Sequence, residues 1–188
     1  MIHFYTNREL SRRLEINLAR WKRWSRSFLP PDPLGGMQSG YARQYSYKEV
    51  CKVYLGGFLL SHLKMSVPES QEVLADLSPW LKKNGFFDMN GPNDGKVSPH
   101  IPSAVHRLYI SRNQATHNKA AGFSYLIRYS VDRPDPNSED DRIITDIIRD
   151  QLLNAGAVDG IAFLKDPFVL LVNLTPLFES MKRRLVGF

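Results

Sequence analysis

The chain has 188 residues, 43% hydrophobic and 23% charged, a composition that fits folded globular proteins and excludes collagen-like or charge-dominated disordered ones. The single cysteine, Cys51, excludes an internal disulfide framework and has no Cys or His nearby at metal-ligand spacing. The net charge is +6, but residues 1–64 hold 11 basic and 4 acidic side chains, a local excess of +7, and the remainder carries −1; a concentrated basic segment attracts phosphate backbones or anionic surfaces.

The opening residues are too short and too polar for a signal peptide, and no apolar run approaches the ~18 residues that span a bilayer. A cytoplasmic protein without membrane contact is expected. The length permits two small cores, and the expected organisation is a basic N-terminal unit over 1–83, a linker over 84–103 and a small α+β domain over 104–188.

Thr6-x-x-Glu9 predicts a capping box at the start of a first helix, with Tyr5 and Leu10 as its hydrophobic staple. Leu10 and Leu14 share one face, and Glu15-Ile16-Asn17 predicts a tight turn. Asn17 is a suitable N-cap for a second helix in which Trp21, Trp24 and Phe28 form a buried stripe and Arg20, Lys22, Arg23 and Arg26 occupy the remaining surface, until Pro30-Pro31 stops it. Trp21 and Trp24 could serve as stacking platforms for bases, but their spacing of three favours a core role.

Asp32 to Ser39 predicts an exposed loop rich in Pro, Gly and Ser. Tyr41, Gln44 and Tyr45 follow as a short strand with Arg43 exposed. Ser46-x-x-Glu49 opens a third helix with Val50, Val53, Tyr54 and Leu60 as core candidates, and Ser66-x-x-Glu69 opens a fourth with Val73, Leu74 and Leu77 inward. Ser78-Pro79 is expected to interrupt this helix, leaving one short further turn through Trp80 and Leu81 to Asn84-Gly85.

The series Arg8-Glu9-Leu10-Ser11-Arg12-Arg13-Leu14, Ile16-Asn17, Arg20-Trp21-Lys22-Arg23-Trp24, Leu29-Pro30-Pro31 and Gly40-Tyr41-x-Arg43-x-Tyr45-Ser46-x-x-Glu49-Val50 resembles the winged helix-turn-helix domain of the MerR family, with Glu15 in place of the Gly usual in the turn. The resemblance covers residues 4 to about 77. It implies a second helix seated in the major groove of double-stranded DNA and a wing, ending at Arg43, against the flanking backbone. The DNA-facing set is then Arg12, Arg13, Asn17, Arg20, Lys22, Arg23, Arg26, Tyr41 and Arg43, with Arg12 and Arg13 divided evenly between phosphate contact and a solvated face. A transcriptional regulator is implied, nucleoid-associated and without a cofactor; a DNA-architectural or recombination accessory protein is the alternative.

Asn84 to Ser103 is rich in turn residues and cannot supply the long dimerisation helix that follows the DNA-binding domain in typical MerR proteins. Beyond it, Val105 to Ser111 and Phe123 to Val131 have strand composition. Ile143, Ile144, Ile147, Ile148 and Leu152 predict the apolar face of a helix ending at Leu153, and Ile161–Leu164 with Phe168–Leu174 predict a hairpin. Thr175-Pro176 opens a final basic helix. This α+β domain is expected to hold a homodimer through the isoleucine stripe or to sense a small-molecule or protein effector. His100, His106 and His117 share no ligand-like spacing, Asp140 and Asp141 are paired only by adjacency, and no glycine-rich phosphate loop occurs, so no enzymatic constellation is expected.

Overall fold

The computed structural model describes residues 4–32, 42–89, 104–113, 122–135, 143–154, 163 and 167–187. The chain is α+β and divides into two compact units. The first comprises 1–94 together with 178–188, and the second spans 95–177.

In the first unit, β1 (Tyr5–Thr6) runs into α1 (Asn7–Arg13), a tight turn and α2 (Leu18–Phe28), then β2 (Gln44–Tyr45), α3 (Tyr47–Ser61) and α4 (Val67–Lys83). The two short strands pair antiparallel, Tyr5 opposite Tyr45. Both α3 and α4 begin with complete capping boxes, Ser46 with Glu49 and Ser66 with Glu69, so the orphan N–H groups of each first turn are satisfied locally. The core gathers Tyr5, Leu10, Leu14, Trp21, Trp24, Val50, Val53, Leu55, Leu59, Val73 and Leu77. Tyr54 and Leu60, expected in it, are only half-buried.

Pro79 does not interrupt α4. The helix continues to Lys83, and the Ser78 hydroxyl donates to the Leu74 carbonyl at 2.6 Å. Proline removes one N–H from the helical ladder, and continuation keeps Trp80 and Leu81 in the core. Gly85, at φ +74°, turns the chain, which returns Phe86 and Phe87 to burial. The expected linker therefore does not begin at 84; the rest of it, 90–103, lies outside the described residues.

The second unit is a four-stranded antiparallel sheet of β3 (Ala104–Asn113), β4 (Gly122–Pro134), β5 (Ile143–Leu153) and β6 (Val169–Asn173), in the order β5-β4-β3-β6. One face carries Leu108, Ile110, Tyr125, Ile127 and Val172, all nearly fully buried. His106 is a satisfied core histidine. Its backbone N–H donates to Thr175 Oγ1 at 2.9 Å, and its ring centroid lies 4.9 Å from that of Tyr129. His100, His117, Asp140 and Asp141 lie outside the described residues.

Two expectations for this half are corrected. Residues 143–153 form a strand, not a helix, and Ile147 and Ile148 are 53% and 59% exposed instead of facing a core. Val169–Asn173 pairs with β3; of its expected hairpin partner, 161–164, only Phe163 is described, and it is helical and buried. The final helix, α5 (Leu174–Val186), is basic as expected, but residues 178–188 belong to the first unit. There the Phe178 ring meets that of Phe86 at a tilt, centroids 5.2 Å apart.

Candidate nucleic-acid interface

In the first unit α1 and α2, joined by a tight turn, both carry exposed basic side chains. Thr6 caps α1 by accepting from the Glu9 N–H at 3.3 Å. After Leu14 the backbone reverses at Glu15, whose φ of +56° is left-handed, a region that costs a non-glycine residue about 1–2 kcal/mol. The turn is braced by Ser11, whose hydroxyl donates to the Ile16 carbonyl at 2.7 Å and whose carbonyl accepts from the Ile16 N–H at 3.1 Å. From α5, Arg184 donates to the Leu14 carbonyl at 3.0 Å and pairs with Glu15 at 3.2 Å. These contacts fix the angle at which α2 leaves α1.

Asn17 caps α2, its carboxamide oxygen accepting from the N–H groups of Ala19 and Arg20 at 2.9 and 3.3 Å. The inward face of α2 is locked. Trp21 is fully buried and meets Tyr45 edge-on, ring centroids 5.8 Å apart. Trp24 lies over Gly57 and Phe28 over Gly56, so closely that a Cβ on either glycine would come within 2.2 and 2.6 Å of the respective ring. The glycine pair in α3 is what lets two aromatic side chains seat α2 on the core. Tyr45 donates from its hydroxyl to Asn7 Oδ1 at 2.7 Å, tying β2 to the start of α1.

The outward face of α2 carries Arg20, Lys22, Arg23 and Arg26, all exposed, and the helix contains no acidic residue. At about 100° per residue, Ala19, Arg23 and Arg26 point most directly away from Trp21, with Lys22 on one flank and Arg20 on the other. Among the described residues none of these four forms an ion pair; Arg26 donates to the Lys22 carbonyl at 3.3 Å. An open cavity of about 580 Å³ lies on the Lys22 side, lined by Lys22, Arg26, Arg43, Tyr45, Asn7 and the 29–32 segment. Arg12, on α1, is also exposed.

Two members of the expected DNA-facing set are engaged inside the protein. Arg13 pairs with Glu9 at 3.0 Å and donates to the Leu185 carbonyl. Arg43, expected as an exposed wing cation, donates to the Pro30 carbonyl at 2.9 Å, contacts Glu49 at 3.4 Å and lies 5.4 Å over the Tyr45 ring. It clasps the end of α2 to the start of α3. Its side chain is 16% exposed, and Glu49 feels the contact. Burial opposes the charge of that carboxylate, but hydrogen bonds from the Ser46 backbone and hydroxyl, together with Arg43, outweigh it and hold the acid below its ordinary range. Tyr41 and the loop 33–41 lie outside the described residues.

Sequence reasoning missed the clasp because Arg43 and Pro30 are 13 residues apart, and it missed Arg184 because nothing local ties a C-terminal arginine to an N-terminal turn. Among the described residues no cluster of His, Cys, Asp or Glu is placed to hold a metal ion, and no helix is long and apolar enough to cross a membrane. Burial pushes the Cys51 thiol far above its ordinary range.

No protein-family model matches the chain, and no curated protein matches it either.

Proposed function

We propose that the first unit is a DNA-binding winged helix-turn-helix of MerR-like type, and that the protein is a homodimeric, sequence-specific regulator of transcription. The observation that carries the reading is α2, with four exposed cations and no acid on a helix whose other face is held by Trp21, Trp24 and Phe28. A helix with a cationic, acid-free outer surface suits the major groove, where Arg or Lys reads guanine through its O6 and N7 atoms. The left-handed residue between α1 and α2 supports the same reading, because it gives the sharp turn that a helix-turn-helix needs.

In this account Arg23 and Arg20 reach base edges. Lys22, Arg26 and Arg12 neutralise phosphates. Asn17 acts through its cap. Arg13 and Arg43 hold the frame and touch no DNA. The second unit joins two copies or senses an effector.

Selection from a randomised duplex pool tests the proposal. An inverted repeat with half-sites about one or two helical turns apart is expected. Recovery of no enriched sequence would overturn it, and enrichment of bendable DNA without a motif would favour an architectural protein.

A further inference from the structure

Among the described residues, the long outer strand of the second unit's sheet has the chemistry of a self-pairing surface. β5 is terminal in the described sheet and eleven residues long, whereas β6 at the other edge has five. Its centre holds Ile147 and Ile148, 53% and 59% exposed. Natural proteins avoid leaving a long edge with apolar residues open, because its unpaired N–H and C=O groups template another strand.

We propose that β5 pairs antiparallel with β5 of a second copy, across a two-fold axis between Ile147 and Ile148, making one continuous sheet from two sheets. The inference rests on the homodimer of the preceding section and gives it a surface; it needs nothing from the DNA.

The register follows from a bulge. Partners across such an axis must lie on the same face of the sheet, and in an unbroken strand residues 146 and 149 lie on opposite faces. Here the ladder to β4 shifts, Arg149 standing opposite Tyr129 and Ile147 opposite Ser130, so that Ile148 is the extra residue. Asp146 is opposite Val131. Tyr129 and Val131 are two apart and share a face, so Asp146 and Arg149 share it too. The same holds for Thr145 with Asp150 and for Ile144 with Gln151, whose β4 partners are Asp132, Arg128, Arg133 and Ile127. A bulge commonly spoils an edge for pairing; this one, at the strand's midpoint, makes the two halves of β5 match.

With the axis between the isoleucines, Ile147 meets Ile148 of the twin and Asp146 meets Arg149 of the twin, each contact occurring twice. Arg149 is exposed and forms no ion pair among the described residues. Asp146 already holds Arg133 at 2.7 Å, and its remaining lone pairs can accept a second cation. Apolar contacts at the axis flanked by opposite charges are what a self-complementary interface requires.

Sedimentation of the full chain tests the proposal, with the wild type expected to be a dimer at micromolar concentration. Arg149→Glu sets two like-charge contacts across the axis and should raise the dimer dissociation constant by about tenfold or more. Ile148→Lys should do the same, and Arg149→Lys should leave the dimer intact. Both positions are exposed in the single chain, so the melting curves of the variants check that folding is unchanged. A monomeric wild type, or a dimer indifferent to both Arg149→Glu and Ile148→Lys, would overturn the proposal. A dimer that binds no DNA would instead defeat the regulator reading and leave this surface standing.

Discussion

Replacing Gly57 by alanine should destabilise the first unit, although the same change within a helix ordinarily stabilises by about 0.5–1 kcal/mol. A Cβ at Gly57 would stand 2.2 Å from Cε3 and 2.4 Å from Cζ3 of Trp24, where carbon atoms prefer about 3.5–4.0 Å. The indole would have to retreat by more than about 1 Å. It cannot do so freely, because Trp24 is only 7% exposed and neighbours the fully buried Trp21 on the same helix. Overpacking of this kind costs about 1–3 kcal/mol. After the helical gain is subtracted, the net loss is about 0–2.5 kcal/mol, and its mid-range value of about 1 kcal/mol lowers the melting temperature by roughly 4–8 °C for a unit of this size. Calorimetry with tryptophan fluorescence reads the change. In a Trp24→Leu background the same Gly57→Ala substitution should cost much less, a non-additivity that isolates the contact. A Gly57→Ala protein melting at or above the wild type would refute the seating of α2 on α3.

Glu15→Gly should be more stable than Glu15→Ala by about 1 kcal/mol in denaturant titration, because both lose the exposed pair with Arg184 but only glycine is unstrained at φ +56°; equal stability would mean the turn is not left-handed. Glu49, held below its ordinary range, contributes stability that is fully present above its unfolded value of about 4.3 and is lost as pH falls through the lower folded value. The wild type should therefore exceed Glu49→Gln in stability at neutral pH, with the gap closing below about pH 4; a gap that widens on acidification would reverse the assignment. Cys51, fully buried with its thiol pushed up by burial, should resist a thiol reagent in the native protein at pH 8 and react on unfolding, as followed by mass spectrometry.

Helix starts were legible because capping is local. Thr6, Asn17, Ser46 and Ser66 each act where the sequence places them. The stripe Ile143, Ile144, Ile147, Ile148 misled because spacings of one, three and one satisfy a helical face, and the ten-residue ladder with β4 that makes it a strand lies in tertiary pairing. Pro79 misled for a related reason, since the burial of Trp80 and Leu81 beyond it outweighs the loss of one helical hydrogen bond. The candidate interface divided the same way. The α2 cations followed from periodicity against the tryptophan stripe, whereas Arg43 was read as free because Pro30 is remote in sequence; Arg13 has a remote partner in Leu185, but its pair with Glu9 is an i,i+4 contact that helical spacing could have revealed.

The central claim is that α2 reads DNA. Its most direct test measures, by fluorescence anisotropy, the affinity of the wild type and of Arg20→Ala/Arg23→Ala for the selected duplex and for a scrambled one, over a range of salt. The account predicts that the double variant loses about 2 kcal/mol or more on the selected duplex and far less on the scrambled one. On both duplexes the salt slope should report phosphate contacts at about 0.9 per contact, with Arg43→Ala leaving it unchanged. Equal loss on both duplexes, or unaltered affinity for the selected one, would contradict the assignment of α2 as the reading helix.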